Sequence, residues 1–261
     1  MTRSLNAHAL FALVAATTLL GIAGTDLVLP AVPSLPQAFA SSIERAQMVL
    51  AAYALGTLVG LLACGELGAR HDPRRLLIWS LGLFALASTA ATFAPSMESL
   101  IALSLAQGAF GAGPAVFAPG FIKGLFAEDR AAAAIGRLGS IEALAPALAP
   151  IAGAWLLSFG GWPVSFIVLG GLGLVLTLTL AALSHRLPGR EVALERHKTY
   201  WSILASRRFL RYALSQAFAL GGLLVFVFGA PAVITGPLGL GIREFVILQV
   251  AGIVCFIVGA N

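Results

Sequence analysis

The chain has 261 residues, 59% of them apolar and only 10% charged, with 16 Lys and Arg against 11 Asp and Glu and a mean hydropathy of +0.95. Ordinary soluble chains are about 45–50% apolar and about 25% charged, so this composition excludes a water-soluble globular domain and makes a bilayer the solvent. At roughly 20 apolar residues per crossing, the length holds about eight crossings and no sizeable soluble domain besides.

Long apolar stretches predict spans at 8–32, 46–68, 76–95, 99–126, 131–158, 163–184, 209–235 and 245–260. Each is expected to be a helix, because a closed barrel needs short strands alternating with period two and the sequence has no such alternation. The expected fold class is all-α, a polytopic membrane protein. Its expected division is a six-helix amino-terminal bundle over 1–184, a central loop over 185–208, and the first two helices of a second bundle over 209–261. The first stretch, with Arg3 before it and Ala23-Gly24 within it, has the outline of a secretory signal. Apolar character resumes through Leu27, Val28 and Leu29, however, and it reads as a span. The last stretch ends at Asn261 with no closing cation, as expected of a chain truncated after its eighth helix.

The connections alternate in charge. With the amino terminus cytoplasmic, 14 cations fall inside (Arg3, Arg70, Arg74, Arg75, Lys123, Arg130, Arg137, Arg186, Arg190, Arg196, Lys198, Arg207, Arg208 and Arg211) and only Arg45 and Arg243 fall outside. Cytoplasmic loops carry the excess of Lys and Arg, so the expected location is the cell (inner) membrane, multi-pass, with a cytoplasmic amino terminus. The basic balance is then a topology signal and implies no nucleic acid. Cys64 and Cys255 lie in apolar runs, and His8, His71, His185 and His197 lie beside or between them. Neither set is spaced for a metal, and no cofactor is expected. An enzyme is not expected either, because no G-x-S-x-G occurs and no histidine lies at membrane depth. No filter loop or ring of charges marks a channel.

Gly56, Gly60, Cys64 and Gly68 recur every four residues along the second span, spaced for close helix contact. In the fourth span Ser104, Gln107, Gly111 and Pro114 form a narrow polar and small stripe, which packing or the wall of a cavity would produce. Two acids lie well inside apolar runs, Asp26 in the first span and Glu142 in the fifth. At about 1.5 Å per residue Asp26 sits roughly 10 Å below the outer interface. Facing lipid, a charge there costs about 2.5–3.5 kcal/mol even on the lenient insertion scale, so each acid is expected to face protein or a wet cavity. Pro30 follows Asp26 by four residues and Pro146 follows Glu142 by four, with Pro150 one turn further on. A proline cannot donate to the carbonyl four residues before it, so carboxylate and freed carbonyl are offered together at a helix kink. In a low-dielectric pocket such an acid is a candidate for taking up and releasing a proton.

These residues resemble the major facilitator superfamily, and in detail its drug:proton antiporter branch of the bicyclomycin and chloramphenicol exporter type. Thr25-Asp26-Leu27-Val28-Leu29-Pro30-Ala31-Val32-Pro33 is similar to that branch's T-D-x-x-L-P-A-x-P signature, and Ala145-Pro146-Ala147-Leu148-Ala149-Pro150-Ile151-Ala152-Gly153 to its antiporter motif. Trp162 and Phe166 match the opening of the sixth span, and Arg207-Arg208-Phe209-Leu210-Arg211-Tyr212 the entry to the seventh. The loop Gly65-Glu66-Leu67-Gly68-Ala69-Arg70-His71-Asp72-Pro73-Arg74-Arg75 follows G-x-L-x-D-R-x-G-R-R, with Ala69 where the pattern has its acid and Asp72 where it has glycine. The R-x-x-Q-G motif keeps Gln107 and Gly108 but has Ser104 in place of arginine.

The resemblance implies export of small, largely apolar drug-like compounds by proton-coupled alternating access. Asp26 and Glu142 are then the proton-coupling candidates, Ser104, Gln107, Gly111 and Pro114 line the cavity, and Gly65, Arg70, Asp72, Arg74 and Arg75 belong to a cytoplasmic gate loop. The partners implied are a small-molecule substrate, protons and the lipid bilayer, with the protein monomeric. A carrier of the same superfamily for another small metabolite is the near alternative. An intramembrane enzyme or an inactive fragment are the alternatives of a different class.

Overall fold

The computed structural model describes residues 2–189, 205–235, 251–252 and 255. Of the predicted eighth span, 245–260, only Ala251, Gly252 and Cys255 fall among them, and residues 190–204 of the predicted central loop lie outside them. The chain divides into two compact units, Met1–Leu194 and Glu195–Asn261.

The described residues contain helices and no strand. In the first unit α1 (Thr2–Asp26) leads through a 3₁₀ turn (Leu29–Ser34) into the short α2 (Leu35–Ala38). Then follow α3 (Ile43–Arg70), α4 (Pro73–Thr92), α5 (Met97–Gly111), α6 (Gly113–Leu125), α7 (Glu128–Glu142), α8 (Ala145–Gly160) and α9 (Pro163–Leu183), the last closed by a 3₁₀ turn at Ser184–Arg186. In the second unit α10 (Arg207–Thr235) runs through the predicted seventh span.

Local chemistry sets the ends. Ser42 caps α3 by accepting from the Arg45 amide, and Ser96 and Ser99 form a reciprocal capping box on α5. Prolines stand in the first turn of α4, α6, α8 and α9, where the missing amide would have had no partner in any case. Gly161, at φ +76°, turns the chain between α8 and α9 in a conformation that a side chain would oppose.

Among the described residues five helical stretches are long and apolar enough to cross a bilayer: Ala7–Ala38, Ile43–Arg70, Pro73–Thr92, Met97–Leu125 and Pro163–Arg186. The predicted span at 131–158 is not one continuous helix. It divides at Ala143-Leu144 into α7 and α8, of 15 and 16 residues, because Pro146 has no amide to offer the Glu142 carbonyl and opens a new helix instead. The same reason ends α1 at Asp26. Pro30 starts the 3₁₀ turn after it, so the expected kinks at Pro30 and Pro146 are breaks between helical segments, whereas Pro150 lies inside α8.

The core is built where α3 crosses α5, where α4 packs on α5 and α9, and where α1 runs among α5 to α9. Phe84, Phe166, Leu77, Leu81, Leu100, Leu169 and Leu180 are fully buried there. Lipid tails are as apolar as leucine, so helix association in a membrane depends on close van der Waals contact, and small residues supply it. Any Cβ added at Gly56 would strike the Leu105 carbonyl, and one at Gly108 the Tyr53 carbonyl. Large apolar side chains such as Leu58 and Leu62 on α3 and Leu174 and Leu178 on α9 point outward, as expected where lipid is the solvent.

Candidate functional site

Proline breaks free carbonyls, and the bundle answers them with hydroxyls from neighbouring helices. Pro114 cannot donate to the Phe110 carbonyl, which accepts instead from the Ser80 hydroxyl of α4. After α1 ends, the Ala31 amide turns to Val28, and the Leu27 carbonyl accepts from the buried Ser165 hydroxyl of α9 at 3.1 Å. Gly153 of α8 comes so close to that same carbonyl that a Cβ would overlap it. The break beyond Asp26 is therefore held from two sides.

Asp26 is the last residue of α1 and is half-buried. Against the same end of α1 stands Tyr53 of α3, 5% exposed, whose hydroxyl donates to the Gly21 carbonyl. The phenol fits because Gly24 has no side chain; a Cβ there would run into the ring. A Cβ at Gly111 would likewise come to 3.0 Å from the Tyr53 hydroxyl, so the glycine of the predicted stripe makes room for it.

Glu142 closes α7 and is also half-buried. Its carboxyl lies near Thr18 of α1, a buried residue whose hydroxyl donates to the Ala15 carbonyl at 2.9 Å. Both acids thus border α1, but on levels eight residues apart, roughly 12 Å along the helix axis. They are two separate carboxyls served by one helix, not a dyad sharing a proton.

The stripe on the fourth span turns inward to packed protein. Gln107, 1% exposed, donates from Nε2 to the Ser88 hydroxyl at 2.8 Å, and Ser88 donates on to the Phe84 carbonyl at 2.7 Å, tying α5 to α4. Ser104 is 1% exposed and its hydroxyl has no hydrogen-bond partner. Gly111 and Pro114 are buried at the joint between α5 and α6. In the first unit these four residues lie at helix contacts.

The loop between α3 and α4 is also assembled from specific bonds. Arg70 pairs with Glu66 one turn back, and Asp72 caps α4 by accepting from the Arg74 amide at 3.0 Å. The Arg74 guanidinium donates from Nε to the Pro188 carbonyl at 3.2 Å, joining the start of α4 to the segment after α9. Arg75 is exposed. Gly65 and Ala69 line a cavity of about 310 Å³ with Phe117, Phe121, Pro188 and Gly189. Ala69, in the place of the pattern's acid, is thus part of a largely apolar wall. Tyr53, Thr18, Ser88 and Ser165 were not singled out by the sequence. A tyrosine within an apolar span, whose hydroxyl must find a partner, was the signal available for the first.

Comparison with known proteins gives a consistent result. The sequence pattern of the Major Facilitator Superfamily matches residues 14–260. The chain is 30% identical over 242 residues to the MFS-type transporter YdgK of Bacillus subtilis, an overlap of 88% of this chain and 59% of that protein. It is 27% identical over 229 residues to the bicyclomycin resistance protein homolog of Haemophilus influenzae, covering 85% of this chain and 57% of the relative. It is 25% identical over 241 residues to the multidrug transporter MdfA of Yersinia pestis, covering 90% and 58%. The chain spans about three fifths of the length of these relatives.

Proposed function

The chain belongs to the Major Facilitator Superfamily, a family of membrane transporters, and on that footing we propose that it serves the export of small, largely apolar drug-like compounds by proton-coupled alternating access. The observation that carries this reading is the pair of half-buried acids, Asp26 and Glu142, each ending a helix at a proline break, the first at the end of α1 and the second beside α1. The substrate class is supported by the names of the relatives, among them a bicyclomycin resistance protein homolog and a multidrug transporter.

The mechanism follows from the cost of charge. A carboxylate sealed among packed helices costs several kcal/mol more than one in contact with water, so closing the bundle over Asp26 or Glu142 favours proton uptake and wetting it favours release. Helix breaks at Asp26 and Glu142 give each acid a joint at which the helix can bend without losing a full hydrogen-bond ladder. In this reading residues 1–184 form one rocking bundle, 185–208 the connecting loop and 209–261 the start of the other, with the amino terminus cytoplasmic. Arg70, Arg74 and Arg75 then act at the cytoplasmic gate, where Arg74 already holds the Pro188 carbonyl. Gln107 acts through its bond to Ser88, by keeping α4 and α5 together as the bundle moves.

The test is efflux from cells carrying the full-length gene, with a panel of fluorescent neutral and cationic compounds, with and without a protonophore. Export that collapses with the protonophore, and that falls to the level of cells lacking the gene in Asp26→Asn, is the expected result. Loss in Asp26→Asn with retention in Glu142→Gln would assign coupling to Asp26 alone. Equal accumulation of every compound with and without the gene would refute the reading.

A further inference from the structure

At the end of the first unit away from Arg70, Arg74 and Arg186, the first turns of α3 and α5 come together. Arg45 of α3 and Glu98 of α5 form a salt bridge there, with side chains 58% and 62% exposed. Among the described residues of this unit Arg45 is the one Lys or Arg at that end. Directly beneath the pair a groove of about 430 Å³ opens between the two helices, lined by Met48, Ile101, Ala102 and Leu105. Arg45 and Glu98 stand at the start of the spans Ile43–Arg70 and Met97–Leu125. The pair therefore lies at the level of lipid headgroups and the groove at the level of acyl chains.

We propose that this groove is a binding site for a phospholipid with an ethanolamine headgroup, held by Arg45 on its phosphate and Glu98 on its ammonium, with an acyl chain along Met48, Ile101, Ala102 and Leu105. The argument is charge complementarity above an apolar floor. An exposed ion pair between two helices contributes little to stability by itself. It does present a cation and an anion side by side, in the mirror image of a zwitterionic headgroup. A guanidinium matches phosphate oxygens with two parallel donors. A carboxylate accepts strongly from an ammonium that carries hydrogens, and a trimethylated choline has none to donate. The site thus distinguishes ethanolamine from choline through Glu98, and zwitterionic from purely anionic lipids by needing both partners. It lies on the outer face of α3 and α5, whereas Gln107 and Gly108 of α5 face inward, so it is separate from the acids of the proposed transport path.

The experiment is native mass spectrometry of the purified full chain titrated with phosphatidylethanolamine, phosphatidylcholine and phosphatidylglycerol of identical acyl chains. The wild type is expected to retain the ethanolamine lipid in preference to both others. Glu98→Gln should lose the preference over choline, Arg45→Gln should lose retention of the ethanolamine lipid, and the exchange Arg45→Glu with Glu98→Arg should restore it. Ala102→Trp fills the groove without touching either charge and should lower retention of all three lipids. Equal retention of ethanolamine and choline lipids by the wild type overturns the proposal, as does an unaltered preference in Glu98→Gln. A wild type that retains no lipid because a second copy or another protein segment covers the groove overturns it equally.

Discussion

Asp72 stands where the family pattern has glycine, three residues after the place where Ala69 replaces an acid. Its carboxylate accepts from the Arg74 amide and starts α4, so its immediate work is that of a helix cap. Asp72→Ala should lower stability by about 1 kcal/mol, and Asp72→Asn should keep most of it because asparagine caps as well; thermal melting of the purified protein in detergent reads both. If Asp72→Asn also leaves efflux intact, the carboxylate's charge plays no part in gating. At this scale the sequence pointed to Asp26 and Glu142, because a charge inside an apolar run stands out by itself. It did not reveal Tyr53 or Thr18, because a hydroxyl in an apolar run has many possible partners and only the packing of α3 and α7 against α1 selects one.

The helix is the scale at which the prolines act. Pro114 strips the Phe110 carbonyl of its intrahelical donor, and Ser80 of α4 supplies another. Ser80→Ala should therefore leave a buried carbonyl unpaired and destabilise the protein by about 1–3 kcal/mol. In a Pro114→Ala background the restored amide takes over that carbonyl, and the cost of Ser80→Ala should shrink. A double-mutant cycle on melting free energies would then show coupling of at least about 0.5 kcal/mol, and strict additivity would count against the exchange of donors. The stripe Gly56, Gly60, Cys64 and Gly68 was legible from its spacing, and the structure sets Gly56 on the Leu105 carbonyl and Gly60 on the Ala109 carbonyl. The sequence marked Pro146 as a kink within 131–158, and the structure turns that kink into a full division between two helices, which the continuous apolar run does not announce.

For the whole molecule, the loop His71-Asp72 lies at the basic end of the first unit and the turn Phe93–Ser96 at the other. With a cytoplasmic amino terminus, alkaline phosphatase fused after Ala94 should be active in cells and the same enzyme fused after Asp72 inactive; the reverse pattern would overturn the proposed orientation. Composition determined that the solvent is lipid, and the lack of period-two alternation that its spans are expected as helices, since an unsatisfied backbone is intolerable in hydrocarbon. The loop cations carry the proposed orientation, and local motifs pointed to the family, because each of these is a property of residues near one another in the chain. Only the tertiary structure decided that Asp26 and Glu142 sit on separate levels of α1, that Gln107 is spent on Ser88, and that Arg45 meets Glu98 over a groove. Those outcomes depend on which helix faces close on one another across many residues of sequence, and close packing of small residues, with no hydrophobic force to separate one apolar face from another, settles that only in three dimensions.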